Sequence, residues 1–348
     1  MEKNDSLTTW AYGAKAMTFQ PTLFDSVISD DTEDNPSQQY DLKKIAWSHS
    51  RRSTLERCVR QYYYEYFGAS KRTAKQDADK EKLILLKQLQ NRRERAGELL
   101  HRAIGTYFRK GREGDLWKPE RLASWARDVF RKDIAFSQTY PQNVPKPDEK
   151  FPPKLLSEFY HQISDAQTLC TETVERLYNA VITFVTSATF AEFRRGGLKA
   201  DALIEHRLNI GNILPCRVEG RIDLAYPRGD QVTIIDWKMG LEDGLGDESL
   251  QLAVYAMWAV EYFQCPPEML RIGKAYLGSD TVSFFESDTQ LLVAARARIF
   301  QDAERMALME PYGRDALVEA FTPCLQPRVC RDCAFLAVCR EGKELIYA

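Results

Sequence analysis

The segment GRIDLAYPRGDQVTIIDWK, residues 220–238, decides the fold of this 348-residue chain. The sequence Pro-Arg-Gly-Asp lies between two runs of residues. In each run, apolar residues alternate with polar ones or follow one another, and this pattern is typical of a β-hairpin. A turn centred between Arg228 and Gly229 is expected. That turn sets the register of the two strands, because side chains alternate between the two faces of a sheet.

The predicted hairpin brings two carboxylates and a lysine to one face. Asp223 lies opposite Ile234 in this register, and Asp236 is its diagonal neighbour, roughly 7–8 Å away at Cα. Lys238 follows Asp236 by two residues and points to the same face. Two such carboxylates can share a hard cation such as Mg²⁺, and a nearby lysine can orient the attacking water in phosphodiester cleavage. The alternative is a set of solvated charges, but Asp236 lies in an apolar run, where an unpaired charge is costly.

Helical patterns precede the hairpin. Ser53 and Glu56 match an S-x-x-E capping box, which predicts a helix that begins near Thr54 and carries Cys58 in its second turn. A second, long helix is predicted over about 77–109, because leucines and alanines recur there at helical spacing.

The remaining segments complete an α/β pattern. Residues 115–200 are predicted to be helical around a proline-rich loop, YPQNVPKPDEKFPPK. Strands are predicted in LIEHRLNI, LRIGKAYLG and TVSFFES, and helices over about 248–263 and 289–308. The sequence therefore predicts an α/β fold with a small mixed central sheet, flanking helices and a helical insertion.

Composition and length indicate a globular protein. The 44% hydrophobic and 28% charged residues are ordinary for that class, and the length suits one large domain or two modest ones. The first residues lack the charged and apolar regions of a signal peptide, and no run of about 18 apolar residues predicts a membrane span. We therefore expect a cytoplasmic protein that does not contact a membrane.

The net charge of −2 hides an uneven distribution. Residues 1–42 hold two basic and eight acidic residues, and they are expected to form a disordered tail that acts as a solubilising leader or docks a partner. Residues 43–112 hold 19 Lys and Arg against seven Asp and Glu. This basic block either follows a phosphate backbone or solvates long helices.

The eight cysteines favour metal binding over disulfides, because a reducing compartment keeps thiols free. Three of them form the spacing C-x2-C-x5-C at residues 330–339, and the fourth thiol of a metal centre would be Cys58 or Cys324. Four thiolates suit zinc as well as an iron–sulfur cluster. The isolated Cys170, Cys216 and Cys265 are interpreted as buried small apolar residues.

Four further residues have two interpretations each. His101 lies between apolar helix positions and is either a core histidine or a metal ligand. Gln251 and Tyr255 are four residues apart on one helix face, where they either contact the substrate backbone or form the polar edge of a buried helix. Glu205 is an accessory acidic residue or an exposed partner of a nearby arginine, and neither interpretation is favoured.

Together these segments resemble the RecB-like branch of the PD-(D/E)XK nuclease superfamily, and specifically its iron–sulfur members. Those members include AddB-type recombination nucleases and CRISPR-associated spacer-processing nucleases. The segments that resemble the family's nuclease motifs occur in the family's order: GELLHRAI (97–104), GRIDLA (220–225), IIDWK (234–238) and QLAVY (251–255). The chain departs from the family where Cys58-Val59 replaces Cys-Pro, and residues 110–200 have no recognisable counterpart.

The resemblance implies roles for individual residues. The implied ligands of a catalytic Mg²⁺ or Mn²⁺ are His101, Asp223, Asp236 and the carbonyl oxygen of Trp237. Lys238 is the implied catalytic lysine, acting with Asp223 and Asp236, and Gln251 and Tyr255 form the substrate-binding Q-x-x-x-Y motif. The implied ligands of a [4Fe–4S] cluster are Cys58, Cys330, Cys333 and Cys339, with zinc as the alternative metal.

The predicted organisation is a tail, 1–42, followed by one restriction-endonuclease-like domain, 43–348. Its parts are an N-terminal helical part (47–110), a helical insertion (111–200), a nuclease core (201–310) and a C-terminal iron–sulfur segment (320–348). An iron–sulfur staple would join the N-terminal helix to the C-terminal segment.

The predicted function is metal-dependent hydrolysis of DNA, on single strands or ends, with exonuclease action favoured over endonuclease action. The setting would be DNA repair, recombination or CRISPR and phage defence, where the tail could engage other proteins of a complex. The alternative is a catalytically silent DNA-binding or assembly subunit of such a complex. No motif residue is replaced in this chain, which favours catalysis.

Overall fold

The hairpin of residues 220–238 lies at the centre of a five-stranded mixed sheet in the computed structural model of this chain. The structure describes residues 41–70, 78–142, 152–208, 210, 214, 216–240, 249–315 and 318–347. Nearly all of the acidic segment 1–42 therefore lies outside the described residues.

The elements are numbered in chain order. The strands are β1 (Ala46–Trp47), β2 (Leu203–Arg207), β3 (Arg217–Val218), β4 (Arg221–Arg228), β5 (Gln231–Lys238), β6 (Leu270–Tyr276) and β7 (Thr281–Phe285). The N-terminal helices are α1 (His49–Arg57), α2 (Val59–Tyr63), α3 (Ala78–Gln88), α4 (Arg92–Arg112), α5 (Pro119–Thr139) and α6 (Ser157–Tyr160). The others are α7 (Ala166–Thr186), α8 (Ala191–Gly197), α9 (Ser249–Phe263), α10 (Thr289–Asp315), α11 (Pro327–Arg331) and α12 (Arg340–Tyr347). Short 3₁₀ turns occur at Leu42–Lys44, Pro267–Met269, Val318–Ala320 and Leu336–Val338, and a π turn at Tyr64–Gly68.

The strand order of the sheet is β2-β4-β5-β6-β7. All neighbours are antiparallel except β5 and β6, which are parallel and therefore need a crossover; α9 lies between them in the chain. β1 and β3 form a separate two-stranded parallel sheet. These pairings confirm the predicted small mixed sheet with flanking helices.

Helices cover both faces of the central strand β5, because its residues alternate between two apolar cores. Val232 and Ile234 belong to the core formed with α9 and α10. Ile235 and Trp237 belong to the core formed with α4, α5 and α7. Trp237 is 1% exposed, and its ring meets that of Phe184 edge to face at 5.2 Å between centroids. The strand that carries Asp236 is thus fixed from both sides.

The hairpin turn differs from the prediction. Arg228 pairs with Gln231, so the two loop residues are Gly229 and Asp230. Gly229 has a φ of 59°, a left-handed conformation that glycine adopts without steric cost and that tight hairpins require. The loop is therefore centred one residue later than expected.

This shift changes the register by two residues. Leu224 pairs with Ile235, which places Asp223 level with Asp236 rather than with Ile234. The two carboxylates are consequently closer along the strands than the predicted diagonal arrangement.

The first helix also begins earlier than predicted. Strand β1 ends at Trp47, and Ser48 caps α1 by accepting a hydrogen bond from the backbone N–H of Arg51 at 3.1 Å. Ser53 lies inside the helix rather than at its start. Cys58 has an extended backbone (φ −161°), so it ends α1 and caps α2 instead of lying within a helical turn.

The long helix predicted over 77–109 is two helices in the structure. A second capping box, formed by Asn91 and Glu94, starts α4 after α3 has ended at Gln88. The last predicted helix continues to Asp315 rather than ending at Leu308. Residues 115–200 are helical as predicted over their described part, in α5 to α8. None of the described helices is both long enough and apolar enough to span a membrane.

Candidate functional site

One row of the sheet carries charged residues on four adjacent strands. The pairs Ile204–Leu224 and His206–Ile222 place Glu205 level with Asp223. Asp223 is level with Asp236, and Asp236 pairs with Lys274 on the parallel strand β6. Residues at the same level of neighbouring strands are close together, since strands lie about 4.8 Å apart. The row is therefore a concentration of charge in the middle of the fold: Glu205, Asp223, Asp236 and Lys274.

Helix α4 adds a histidine to this row. His101 Nδ1 lies 3.2 Å from Asp223 Oδ1 and 3.5 Å from Glu205 Oε1. One donor atom from each of these three residues lies within 4.8 Å of the others, which is close enough to hold one metal ion. The imidazole is half-buried and faces carboxylates, so the structure favours the ligand interpretation of His101 over the core interpretation. Carboxylate oxygens are ligands that Mg²⁺ and Mn²⁺ prefer, whereas an imidazole nitrogen is a better ligand for transition metals than for Mg²⁺, so the donor set suits a divalent cation.

The carboxylates strongly favour the protonated form of His101. Burial alone would lower the pKa of this imidazole. The charges and hydrogen bonds of Asp223 and Glu205 outweigh burial and raise the pKa of His101 to about 10. A cation that binds this nitrogen must displace a proton, so binding at this position is coupled to pH.

Asp223 is held in place by the neighbouring strand. Its Oδ2 accepts a hydrogen bond from the backbone N–H of Trp237 at 2.8 Å, and the residue is only 6% exposed. Burial raises the pKa of the Asp223 carboxyl, and nearby Asp236 adds to that rise, although His101 opposes it. Two buried carboxylates at one level repel each other, and a cation between them would relieve that repulsion.

Asp236 is anchored by the end of its own strand and by helix α9. Its Oδ2 lies 2.8 Å from Lys238 Nζ. Its Oδ1 lies 3.2 Å from Tyr255 Oη and 3.3 Å from Gln251 Nε2. The buried Tyr255 also lies 3.0 Å from the carbonyl of Arg221, so its single O–H is shared between two acceptors. Gln251 and Tyr255 thus orient the carboxylate, while the prediction that they contact the substrate stays a prediction.

Glu205 combines both of its predicted interpretations. One oxygen faces His101 at 3.5 Å, and the other lies 3.3 Å from a guanidinium nitrogen of Arg221. Its φ of 50° is unusual for a residue with a side chain and interrupts an otherwise regular strand. Such conformations persist where the surrounding structure enforces them, often at functional sites. Asp236 lies outside the three-residue donor group, which holds Glu205 beside His101 and Asp223, so the role of Asp236 as a metal ligand stays a prediction.

Lys274 is a site residue that the sequence reasoning missed. It pairs with Asp236 across β5 and β6 and is 7% exposed. A lysine within the otherwise apolar strand LRIGKAY could have indicated a buried charge, because a buried lysine needs a partner. Its place next to Asp236 depends on the crossover topology, which the sequence pattern did not provide.

Five cysteines line one small cavity next to the start of α2. They are Cys58, Cys324, Cys330, Cys333 and Cys339. Cys58 Sγ accepts a backbone hydrogen bond from Gln61 at 3.4 Å. The cavity that these side chains line is small, and four thiolates suit a single zinc ion as well as a [4Fe–4S] cluster. The structure therefore brings Cys58 to the C-terminal cysteines, but it also keeps Cys324 beside them.

Three thiols of this cluster, those of Cys58, Cys330 and Cys333, have raised pKa values and are difficult to ionise without a metal. Burial raises the pKa of Cys330 to about 12, with Cys324 as its strongest neighbour. Burial likewise raises the pKa of Cys333 to about 12, with contributions from Cys58, Cys339 and Cys330. Cys333 interacts with Cys58, Cys330 and Cys339, and Cys324 interacts with Cys58 and Cys330. The choice of Cys58 over Cys324 as the fourth ligand therefore stays a prediction.

Two of the isolated cysteines and four of the 19 basic residues of the block are buried in the described part of the chain. Cys170 and Cys216 are buried, as predicted, and Cys265 is half-buried. Four arginines of the block are buried in ion pairs: Arg52 with Asp302, Arg60 with Glu341, Arg92 with Glu158 and Arg95 with Asp133. These four guanidinium groups are largely buried, and their ion pairs support the fold.

Comparison with known proteins agrees with this geometry. No curated protein matches the chain. The crystal structure of SSO0001 is similar at 15% sequence identity, covers 52% of this chain and 81% of its own, and has a TM-score of 0.26, too low to support a conclusion. The PD-(D/E)XK nuclease superfamily matches residues 46–340, a span that includes the donor group, Lys238 and the terminal cysteines. The chain belongs to the PD-(D/E)XK nuclease superfamily.

Proposed function

We propose that this protein is a Mg²⁺- or Mn²⁺-dependent deoxyribonuclease of the RecB-like, iron–sulfur branch of its superfamily. The observation that carries the proposal is the three-residue donor group His101, Glu205 and Asp223, which lies beside the Asp236–Lys238 pair. A superfamily match over most of the chain supports nuclease chemistry in general.

The residues in and around the row have different proposed roles. His101, Glu205 and Asp223 would hold the cation, with Asp236 and the Trp237 carbonyl oxygen as further ligands. When bound, the cation supplies Lewis acidity and lowers the pKa of a water molecule. Lys238 Nζ, 28% exposed, orients the attacking water and offsets negative charge that develops on the phosphate. Gln251 and Tyr255 keep the Asp236 carboxylate in one orientation.

Cys58, Cys330, Cys333 and Cys339 are the proposed ligands of a structural [4Fe–4S] cluster, and zinc is the alternative. The family resemblance is the ground for choosing the cluster over zinc. Both centres take four thiolates and would tie α2 to the C-terminal segment. Elemental analysis of protein purified without oxygen separates them: iron and sulfide support the cluster, and one zinc per chain supports the alternative.

The finer features of the proposal are the substrate and the setting. We assign single-stranded DNA or DNA ends as the substrate, exonuclease action as the mode and a cytoplasmic repair, recombination or defence complex as the setting. These assignments rest on the resemblance. A catalytically silent assembly subunit is less well supported, because His101, Asp223, Asp236 and Lys238 are all in place.

A cleavage assay tests the proposal. Labelled single-stranded and double-stranded DNA would be incubated with the protein in Mn²⁺, in Mg²⁺ and in EDTA. Release of product that requires a divalent cation, with single strands or ends preferred, is the expected result. A protein that binds DNA and leaves it intact in every cation would instead support the silent subunit.

A further inference from the structure

A second cavity, away from the row of carboxylates, is lined by four arginines. Its volume is about 600 Å³, and its walls come from the start of α4, the start of α7, α11 and the end of α12. The arginines belong to two elements that are distant in sequence: Arg92, Arg93, Arg328 and Arg331. Since like charges repel, four guanidinium groups around one cavity indicate a place where negative charge is compensated or bound.

Three carboxylates compensate part of this charge. Arg92 pairs with buried Glu158 at 2.9 Å, and both Arg92 and Arg93 reach Asp332 at 3.3 Å. Arg331 pairs with Asp165.

Arg328 differs from the other three arginines. It is exposed, and within the described part of the chain it makes no ion pair or hydrogen bond. Arg93 is also 54% exposed and keeps most of its five donors open. The cavity therefore presents an excess of guanidinium donors, which is the chemistry that binds phosphate.

The opposite wall of the cavity is apolar and includes an aromatic ring. Ile163 and Leu345 line it, together with Tyr347, whose side chain is 53% exposed. The Tyr347 hydroxyl donates a hydrogen bond to the carbonyl of His161 at 2.6 Å, which restrains the ring. A restrained, exposed aromatic ring beside basic groups is the arrangement by which proteins bind single-stranded nucleic acid.

From these walls we infer that the cavity binds one nucleotide of a single-stranded DNA substrate. The phosphate lies against Arg93 and Arg328, and the base packs against Tyr347 and the apolar wall. This inference rests on the proposed nuclease function and adds a second binding position for the same strand. His101 lies eight residues after Arg93 on α4, about 12 Å along the helix axis at 1.5 Å per residue, so a short oligonucleotide has the length to reach both sites.

Binding of a fluorescent single-stranded oligonucleotide in EDTA tests the inference without cleavage. The variant carries Arg93→Gln and Arg328→Gln. The matched control carries Arg176→Gln and Arg340→Gln, which remove two exposed arginines outside the cavity. We expect at least a several-fold weaker affinity for the first variant only. Its plot of log affinity against log salt should be shallower by about 0.7 for each phosphate that the variant no longer neutralises.

A third variant separates the base from the phosphate. Tyr347→Ala should weaken binding by about 5- to 150-fold for an oligonucleotide with bases, the range expected for one stacked base. The same substitution should leave the affinity for an abasic strand of equal length unchanged. Unchanged metal content and melting temperature would show that the variants are folded.

Equal affinities and equal salt slopes for the cavity variant and the control would overturn the inference. Failure of the nuclease proposal gives a different result, since cleavage in Mn²⁺ would be absent while binding in EDTA would still depend on the cavity.

Discussion

The carboxylate row and the thiol cluster are both suited to bind a metal ion, but their ionisable groups differ. The carboxylates have charged or hydrogen-bonding partners within the protein, whereas the buried thiols are un-ionised. In the row, Asp223 already contacts His101 and the Trp237 N–H, and Asp236 contacts Lys238. In the cluster, burial raises the pKa values of Cys58, Cys330 and Cys333, so these three thiols stay neutral. Contacts within the protein therefore orient the carboxylates of the row before a metal binds. These three thiols of the cluster ionise only when a metal binds.

This difference separates the roles of the two metals. A cation that enters a row already held by hydrogen bonds costs little reorganisation, which is what catalysis requires. A metal in the thiol cluster joins residues nearly 300 positions apart, so it acts on stability. Direct contacts also connect these ends: Tyr64 stacks on Phe335 at 5.5 Å, and Arg60 pairs with Glu341 at 3.3 Å.

Asp236→Asn should have the largest effect on catalysis and little effect on stability. The substitution keeps the size of the side chain and removes the charge that pairs with Lys238. We expect the rate of DNA cleavage in Mn²⁺ to fall by about 10²–10³ or more. Asp230→Asn, in the loop of the same hairpin, is the control and should cleave like wild type. Equal rates for both variants would remove Asp236 from the site.

Cys58→Ser should mainly affect metal content and stability rather than catalysis. Loss of one ligand removes the metal, because burial raises the pKa values of Cys330 and Cys333 and three thiols hold a metal less tightly than four. We expect metal content near zero and a melting temperature lower by several degrees, with the chain still folded through Tyr64 and Arg60. Cys324→Ser should keep the metal. Retention of metal by Cys58→Ser together with its loss in Cys324→Ser would reverse the ligand assignment.

Glu205→Gln should have an intermediate effect, on cation affinity. Glu205 is one of three donors within 4.8 Å of one another, and its loss leaves His101 and Asp223. We expect Mn²⁺ affinity, measured by calorimetry, to fall by about 10- to 100-fold. Glu219→Gln, an exposed partner of Arg217, is the control. An affinity equal to that of wild type would reduce Glu205 to an ion-pair partner of Arg221.

His101→Gln should have the smallest effect, and one that depends on pH. The pKa of His101 is raised from 6.5 to about 10 in the folded protein, so its stabilising contribution is complete below about pH 6.5. That contribution declines as pH rises and is lost above about pH 10. Urea unfolding of wild type and variant in EDTA should therefore differ at about pH 6 and converge above about pH 10. A difference that grows with pH would contradict the ion pair.

The sequence predicted the sheet and the order of the motifs because these depend on local patterns. Alternation in residues 220–238 was enough for the hairpin, and the motif order was enough for the superfamily. The register was wrong because it depends on one loop residue, Gly229, and the sequence PRGD allows more than one turn. The start of α1 was wrong because Ser48 and Ser53 are both acceptable caps.

The composition of the site depended on contacts between distant elements. Glu205 lies beside His101 with a left-handed backbone conformation, which no sequence pattern indicates. Lys274 pairs with Asp236 because a crossover makes β5 and β6 parallel neighbours. The choice between Cys58 and Cys324 also could not be made from spacing, because both lie beside the C-terminal cysteines in the structure.

Lys238→Ala tests the central claim, that the row cleaves DNA with a lysine-assisted water, most directly. Single-turnover cleavage of labelled single-stranded DNA would be measured beside Mn²⁺ affinity in the same variant. The account predicts a rate lower by at least about 10² with cation affinity close to that of wild type, because Lys238 acts on the water and phosphate rather than on the metal. A variant that cleaves as fast as wild type would contradict it.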